Sequence, residues 1–169
     1  MNTINIFTDG STLNNQIKGH RYGGSGIFFG DNDPRNKKIP LKETKNNKVT
    51  NQVAELTAVL KALEIVKKNL TNNDTICIYT DSIYIVNSMN IWANKWELND
   101  WKKSNGKDVL NLNLIKEIFT YKKKYLIIFK HVKAHKKEPK KDSPDYNLWY
   151  GNFMADKLAV EASRSLINM

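Results

Sequence analysis

Two stretches of this chain share one design, and that design restricts the fold more than any other feature of the sequence. TINIFTDGS from Thr3 to Ser11 and TICIYTDSI from Thr75 to Ile83 are each a short apolar run that reaches Thr-Asp and then a small residue suited to a turn or helix cap. In the first run Ile4, Ile6 and Phe7 put apolar side chains on both faces, as a strand covered by helices on either side requires. Strands of that kind belong to α/β architecture, whose ligands bind at the carboxyl edge of the sheet. If the two runs are neighbours in one parallel sheet, about 5 Å apart, Asp9 and Asp81 stand side by side. They then repel each other unless a cation lies between them.

The remaining chain supplies a single domain over residues 1–169, large enough for a layered core without disulfides or structural metal. Its one cysteine, Cys77, sits inside the second apolar run and reads as a small buried hydrophobe, which suits a reducing compartment. The first strand starts at the N-terminus and no segment approaches 18 apolar residues. Secretory, transit and membrane-spanning readings therefore fail, and a monomeric intracellular protein without a membrane partner is expected. Lys and Arg number 27 against 17 Asp and Glu, a net charge of +10 carried mostly by lysine, and this points to a polyanionic partner.

Residues 23–30, entered through glycines, read as a strand in a hairpin with the first, and Lys37 to Lys42 as a third strand. From Asn51 to Leu70 the period becomes helical, with Val53, Leu56, Leu60 and Leu63 on one face and Thr50 as N-cap. Glu55 falls on the flank of that buried face, where it is either a first-turn glutamate favoured by the helix dipole or a residue of a site. A short helix is expected from Ser82 to Met89. Trp92, Trp96 and Trp101 follow, interleaved with Lys95, Lys102, Lys103 and Lys107; they either pack the segment onto itself or wall a basic groove for a nucleic-acid backbone. A helix from Asp108 to Tyr121 and a strand from Tyr125 to His131 come next. A lysine-rich loop carrying His135 leads to a last helix from near Asn152 to about Asn168, with Asp156 in its first turns.

Asp9 and Asp81 thus end buried strands, while Glu55 and Asp156 lie on inward flanks of helices. Their convergence would make an oxygen-only site for Mg²⁺ or Mn²⁺, and the sequence offers no Cys/His set for zinc. At these residues the chain resembles the type 1 ribonuclease H family. The resemblance rests on TDGS at Thr8 to Ser11, TNQxAEL at Thr50 to Leu56, YTDS at Tyr79 to Ser82, HVxxH at His131 to His135 and GNxxAD at Gly151 to Asp156, in that order along nearly the whole chain.

The resemblance implies an α/β fold with a five-stranded mixed sheet, three antiparallel strands plus parallel ones, and helices on both faces. It implies a catalytic set of Asp9, Glu55, Asp81 and Asp156 holding two Mg²⁺ ions, Mn²⁺ being the alternative, with His135 assisting proton transfer or product release. The activity implied is endonucleolytic hydrolysis of the RNA strand of RNA/DNA hybrids, leaving 3′-hydroxyl and 5′-phosphate ends. Asn15, Asn51 and Gln52 would face the RNA minor groove. Thr50 and Asn111 would form a phosphate pocket, and Trp92, Trp96 and Ser104 would hold the DNA strand on a basic protrusion of about residues 90–111. Two features depart from the family: Ala134 stands where glycine is usual, and the basic loop of about residues 134–150 is expanded, so that Asp156 follows His135 by 21 residues. A non-catalytic hybrid-binding module and another nuclease of the same superfamily are the competing readings.

Overall fold

The computed structural model describes residues 2–13 and 20–167. Five strands, β1 (Thr3–Leu13), β2 (Tyr22–Phe28), β3 (Lys37–Lys42), β4 (Thr75–Thr80) and β5 (Leu126–His131), form one mixed sheet in the order β3-β2-β1-β4-β5. The two Thr-Asp strands are neighbours and parallel, the condition under which their sequences set Asp9 beside Asp81, and they pair from Thr3 with Thr75 to Phe7 with Tyr79. β1 does not end at Asp9, however. It continues to Leu13 as one arm of an antiparallel hairpin with β2, in which Asp9 pairs with Gly26. Asp9 therefore lies where the parallel ladder has stopped and the antiparallel one persists, because β4 turns away at Asp81 into a helix capped by Ser82.

The helices are α1 (Asn51–Val66), α2 (Ile83–Asn87), α3 (Ala93–Leu98), α4 (Leu112–Lys124) and α5 (Tyr146–Ser165). Thr50 caps α1 as expected, its hydroxyl accepting from the Val53 N–H at 3.1 Å. The helix expected to stop at Met89 runs on: a π-helical turn, Ser88–Trp92, joins α2 to α3. Four residues overshoot a revolution in an α-turn and undershoot it in a wider π-turn, so the mixture keeps Ile85, Met89 and Ala93 all fully buried. α4 starts at Leu112 rather than Asp108, because Lys102 and Asp108 bridge a small hairpin and Asn111 adopts a left-handed conformation with φ 55°. α5 starts at Tyr146 rather than Asn152, which moves Asp156 from the first turns to nearly three turns into the helix.

α1 and α5 cover opposite faces of β1 and β2. On one face the Ser25 hydroxyl donates to the Ala54 carbonyl of α1 at 2.6 Å, and Ile6, Ile27, Leu56, Leu63 and Ile78 form the centre of the core. Strand glycines set how closely the helices approach, and two of them lie beside the acids. A Cβ on Gly10 would lie 2.4 Å from the Glu55 amide nitrogen of α1, and one on Gly26 would lie 2.1 Å from the Ala155 carbonyl oxygen of α5. Both contacts are with helix backbone adjoining an acidic residue. Gly26→Ala must push α5 outward and should cost about 2–3 kcal/mol, the range for overpacking a close contact, read as a lowered urea midpoint with unchanged m-value.

Candidate metal-binding active site

Asp9, Glu55 and Asp81 converge above the middle of the sheet, each offering a carboxylate oxygen, with the three oxygens within 4.8 Å of one another. Asp9 comes from β1 and is 4 % exposed; Asp81 follows β4, and Glu55 is delivered by α1 across the close contact at Gly10. Asp156 reaches the same place from α5, within hydrogen-bonding range of Asp9 and close enough to both aspartates to raise their pKa values. The four predicted acids are thus brought together from four different elements.

The electrostatics follow from that crowding. Burial, then the charge of Asp81, pushes the Asp9 carboxyl from 3.8 to about 9, against one favourable hydrogen bond from the Gly10 N–H at 2.9 Å. Burial and Asp81 likewise push Glu55 from 4.5 to about 7, although the nearby Ser82 hydroxyl acts the other way. Burial and Asp156 raise Asp81, partly offset by His135 and His131. A cluster of oxygen donors that cannot all ionise without a counter-charge fits a hard divalent cation, which supplies the missing positive charge and accepts carboxylate oxygens.

Around this centre the other predicted residues fall into three groups. His135 is exposed and lines a cavity of about 310 Å³ together with Asp81, Lys136, Trp149 and Asp156. Asn51 and Gln52 open α1: the Asn51 Oδ1 accepts from the Thr12 hydroxyl at 2.5 Å, and the Gln52 Oε1 accepts from the Asn111 amide at 2.7 Å. Gln52 and Asn111 are therefore joined, while the Thr50 hydroxyl serves as the helix cap. Trp92, Trp96 and Ser104 line a separate groove of about 580 Å³ with Lys95, Lys102 and Lys103. Trp101 leaves that group. It packs edge-on against Phe119 at 5.9 Å under the Lys116 ammonium, so for this tryptophan the packing reading is correct. Asn15 lies outside the described residues.

Three residues shape the site without having been assigned a place in it. The His131 Nε2–H donates to the Asp81 carbonyl at 3.2 Å, which its position opposite Thr80 in the β4–β5 ladder makes possible. Ser82, read as a helix cap, is one, and also lies near enough to Glu55 to favour its ionised form. Trp149 enters because α5 starts early; a helical period carried back from Asp156 by seven residues is the signal that finds it.

A five-stranded mixed sheet with an oxygen-only acid cluster over its two central parallel strands defines an α/β chain with a candidate divalent-cation site. The RNase H family model matches residues 1–164, and the chain belongs to that family. It is 37 % identical over 154 residues to a ribonuclease H of Schizosaccharomyces pombe, covering 91 % of this chain but 50 % of the relative. It is 33 % identical over 165 residues to ribonuclease HI of Rickettsia conorii, covering 97 % of this chain and 93 % of the relative. Among solved structures, the PFV RNase H domain superposes with a TM-score of 0.70 at 25 % identity, covering 95 % of this chain and 94 % of that one.

The raised carboxyls make stability fall with pH when no metal is bound. A folded-state pKa above the unfolded one contributes stability that is complete below about pH 4 and is lost as pH rises through about 7 for Glu55 and about 9 for Asp9. Asp81→Asn removes one repelling charge. It should raise the metal-free Tm at pH 8 by several degrees, at about 2–4 °C per kcal/mol for a domain of this size, and flatten the pH dependence measured by calorimetry from pH 5 to 9.

Proposed function

We propose that this chain is an endoribonuclease that hydrolyses the RNA strand of RNA/DNA hybrids, leaving 3′-hydroxyl and 5′-phosphate ends. The observation that carries the reading is the meeting of Asp9, Glu55 and Asp81 within 4.8 Å in a chain of this family. The family relatives named above as ribonuclease H and HI support the substrate and reaction. In this proposal Asp9, Glu55, Asp81 and Asp156 hold two Mg²⁺ ions, with Mn²⁺ an acceptable substitute. When bound, such ions lower the pKa of an attacking water and neutralise charge on the leaving oxygen.

The chain's own residues do the rest. Asp9, the most buried of the acids, would be a ligand, as would Asp156 beside the cavity that His135 lines, and the His135 imidazole takes up or delivers a proton there. Asn51 and Gln52 each present an amide, which both donates and accepts, and so suits the 2′-hydroxyl that distinguishes RNA from DNA. Because both open the helix that carries Glu55, ribose recognition is tied mechanically to the metal ligands. The family resemblance assigns Asn15 to the same recognition. Thr50 and Asn111 take a phosphate, and the groove of Trp92, Trp96 and Ser104 on the basic protrusion takes the DNA strand. The chain acts as a monomeric single domain in an intracellular compartment, consistent with its one buried free cysteine.

A labelled hybrid incubated with Mg²⁺ should be cut in its RNA strand, while chelator abolishes cutting and duplex DNA stays intact. Asp81→Asn should bind hybrid as well as the parent chain and cut none; near-parental turnover by that variant refutes the assignment. Replacing Asn51 and Gln52 together by alanine removes two hydrogen bonds of about 1 kcal/mol each, so hybrid cleavage should fall about tenfold or more while general duplex affinity holds. An unaffected double variant places ribose recognition elsewhere. Trp92→Ala should raise KM rather than lower kcat, by the roughly 1–3 kcal/mol of a lost stacking contact, and more steeply in salt; lost turnover at saturating hybrid gives Trp92 a purely structural role.

A further inference from the structure

α5 begins six residues earlier than its periodicity predicts, and the added segment is aromatic, carrying Tyr146, Trp149 and Tyr150. Trp149 stacks on Phe153 with ring centroids 5.2 Å apart and tilts against Tyr146 at 5.7 Å, so its own helix holds the indole on two sides. The indole N–H then reaches across to the preceding loop and donates to the Lys136 carbonyl at 2.8 Å. Among the described residues this is the one side-chain hydrogen bond made to residues 133–139, beside a backbone turn at Ala134 and His135. The segment it holds is otherwise poorly suited to a fixed conformation. Lys133, Lys136, Lys137, Lys140 and Lys141 are all exposed and repel one another, and His135, directly before Lys136, has a φ of 51°. A residue with a Cβ persists in that left-handed region only where its surroundings hold it.

Trp149 and Asp156 lie seven residues apart on one helix, two turns, and so share a face. Both line the cavity that contains His135 and Asp81. We propose that Trp149 is a positioning residue for His135: through the Lys136 carbonyl it ties the expanded basic loop to the helix that carries Asp156, and so fixes the imidazole relative to the carboxylates. Within the spacing from His135 to Asp156, α5 already begins at Tyr146, early enough for the helix to carry the anchor. The inference rests on the part given to His135 above, and adds to it the means by which an exposed histidine on a lysine-rich loop keeps its place.

Trp149→Phe tests it, because phenylalanine keeps the stacking with Phe153 and Tyr146 but has no N–H to donate. With hybrid and Mg²⁺, kcat should fall about three- to tenfold, the rate equivalent of one neutral hydrogen bond, with KM and Tm unchanged. In a His135→Ala background the same substitution should cost nothing further. In the metal-free protein, trypsin should cut after Lys136 or Lys137 several-fold faster in Trp149→Phe than in the parent chain, at equal Tm. Parental kcat in Trp149→Phe, losses that multiply in the double variant, or an unchanged tryptic rate each overturn the inference. Parental kcat in His135→Ala removes the role of His135 itself and the inference with it, an outcome separate from a slowed His135→Ala beside an unaffected Trp149→Phe, which overturns the inference alone.

Discussion

The structure depends on holding like charges together. Asp9, Glu55 and Asp81 put carboxylate oxygens within 4.8 Å of one another over the centre of the sheet, in surroundings that raise the pKa of all three. Such a cluster is an expensive way to build a hydrophobic domain and an economical way to build a cation site, since the repulsion that costs stability without metal is released when metal binds. Every element around it either delivers an acid or restrains one. β1 and the end of β4 supply the aspartates, α1 the glutamate, and α5 the fourth acid, while the Gly10 N–H and the His131 ring hold side chain or backbone at the same centre.

Precision in such a cluster comes from backbone contacts more than from side-chain packing. Where α1 crosses β1 and α5 crosses β2, the sheet presents Gly10 and Gly26, and helix backbone occupies the space of a Cβ. Those contacts lie at Glu55 and at Ala155, one residue from Asp156, so the helix-to-sheet distances that set the site are fixed by main chain that few rotamer changes can alter. The proposed substrate contacts are arranged more loosely: Gln52 and Asn111 share one hydrogen bond, and Trp92 and Trp96 flank a groove rimmed by lysines. That division suits a reaction in which the metal ligands demand accuracy and a polyanionic backbone demands mainly charge and breadth.

Much of this was legible in the residues. The two Thr-Asp runs showed two buried strands of one design, Thr50 its cap, and the order of five short motifs the family; the ladder from Thr3 with Thr75 to Phe7 with Tyr79 makes those strands parallel neighbours. The boundaries were less legible where tertiary contacts overrode local pattern. A π-turn extended the second helix because Met89 and Ala93 had to stay buried together, and the hairpin closed by Lys102 and Asp108 delayed α4. Trp101 looked like a companion of Trp92 and Trp96, but composition cannot say which side of a segment a ring will face, and Phe119 claimed it.

What the sequence determined by itself was local and periodic: strand and helix identity, the acids at strand ends and helix flanks, and a positive charge suited to nucleic acid. Those properties follow from hydrophobic spacing and residue chemistry, which are written in neighbouring positions. What only the tertiary structure decided was how residues distant in the chain meet. That β1 passes beyond Asp9 into a hairpin, that glycines admit two helices to backbone contact, and that Trp149 reaches Lys136 across thirteen positions are outcomes of packing whole elements against one another. Such contacts are set by the depth and angle at which layers approach, and no run of adjacent residues encodes them.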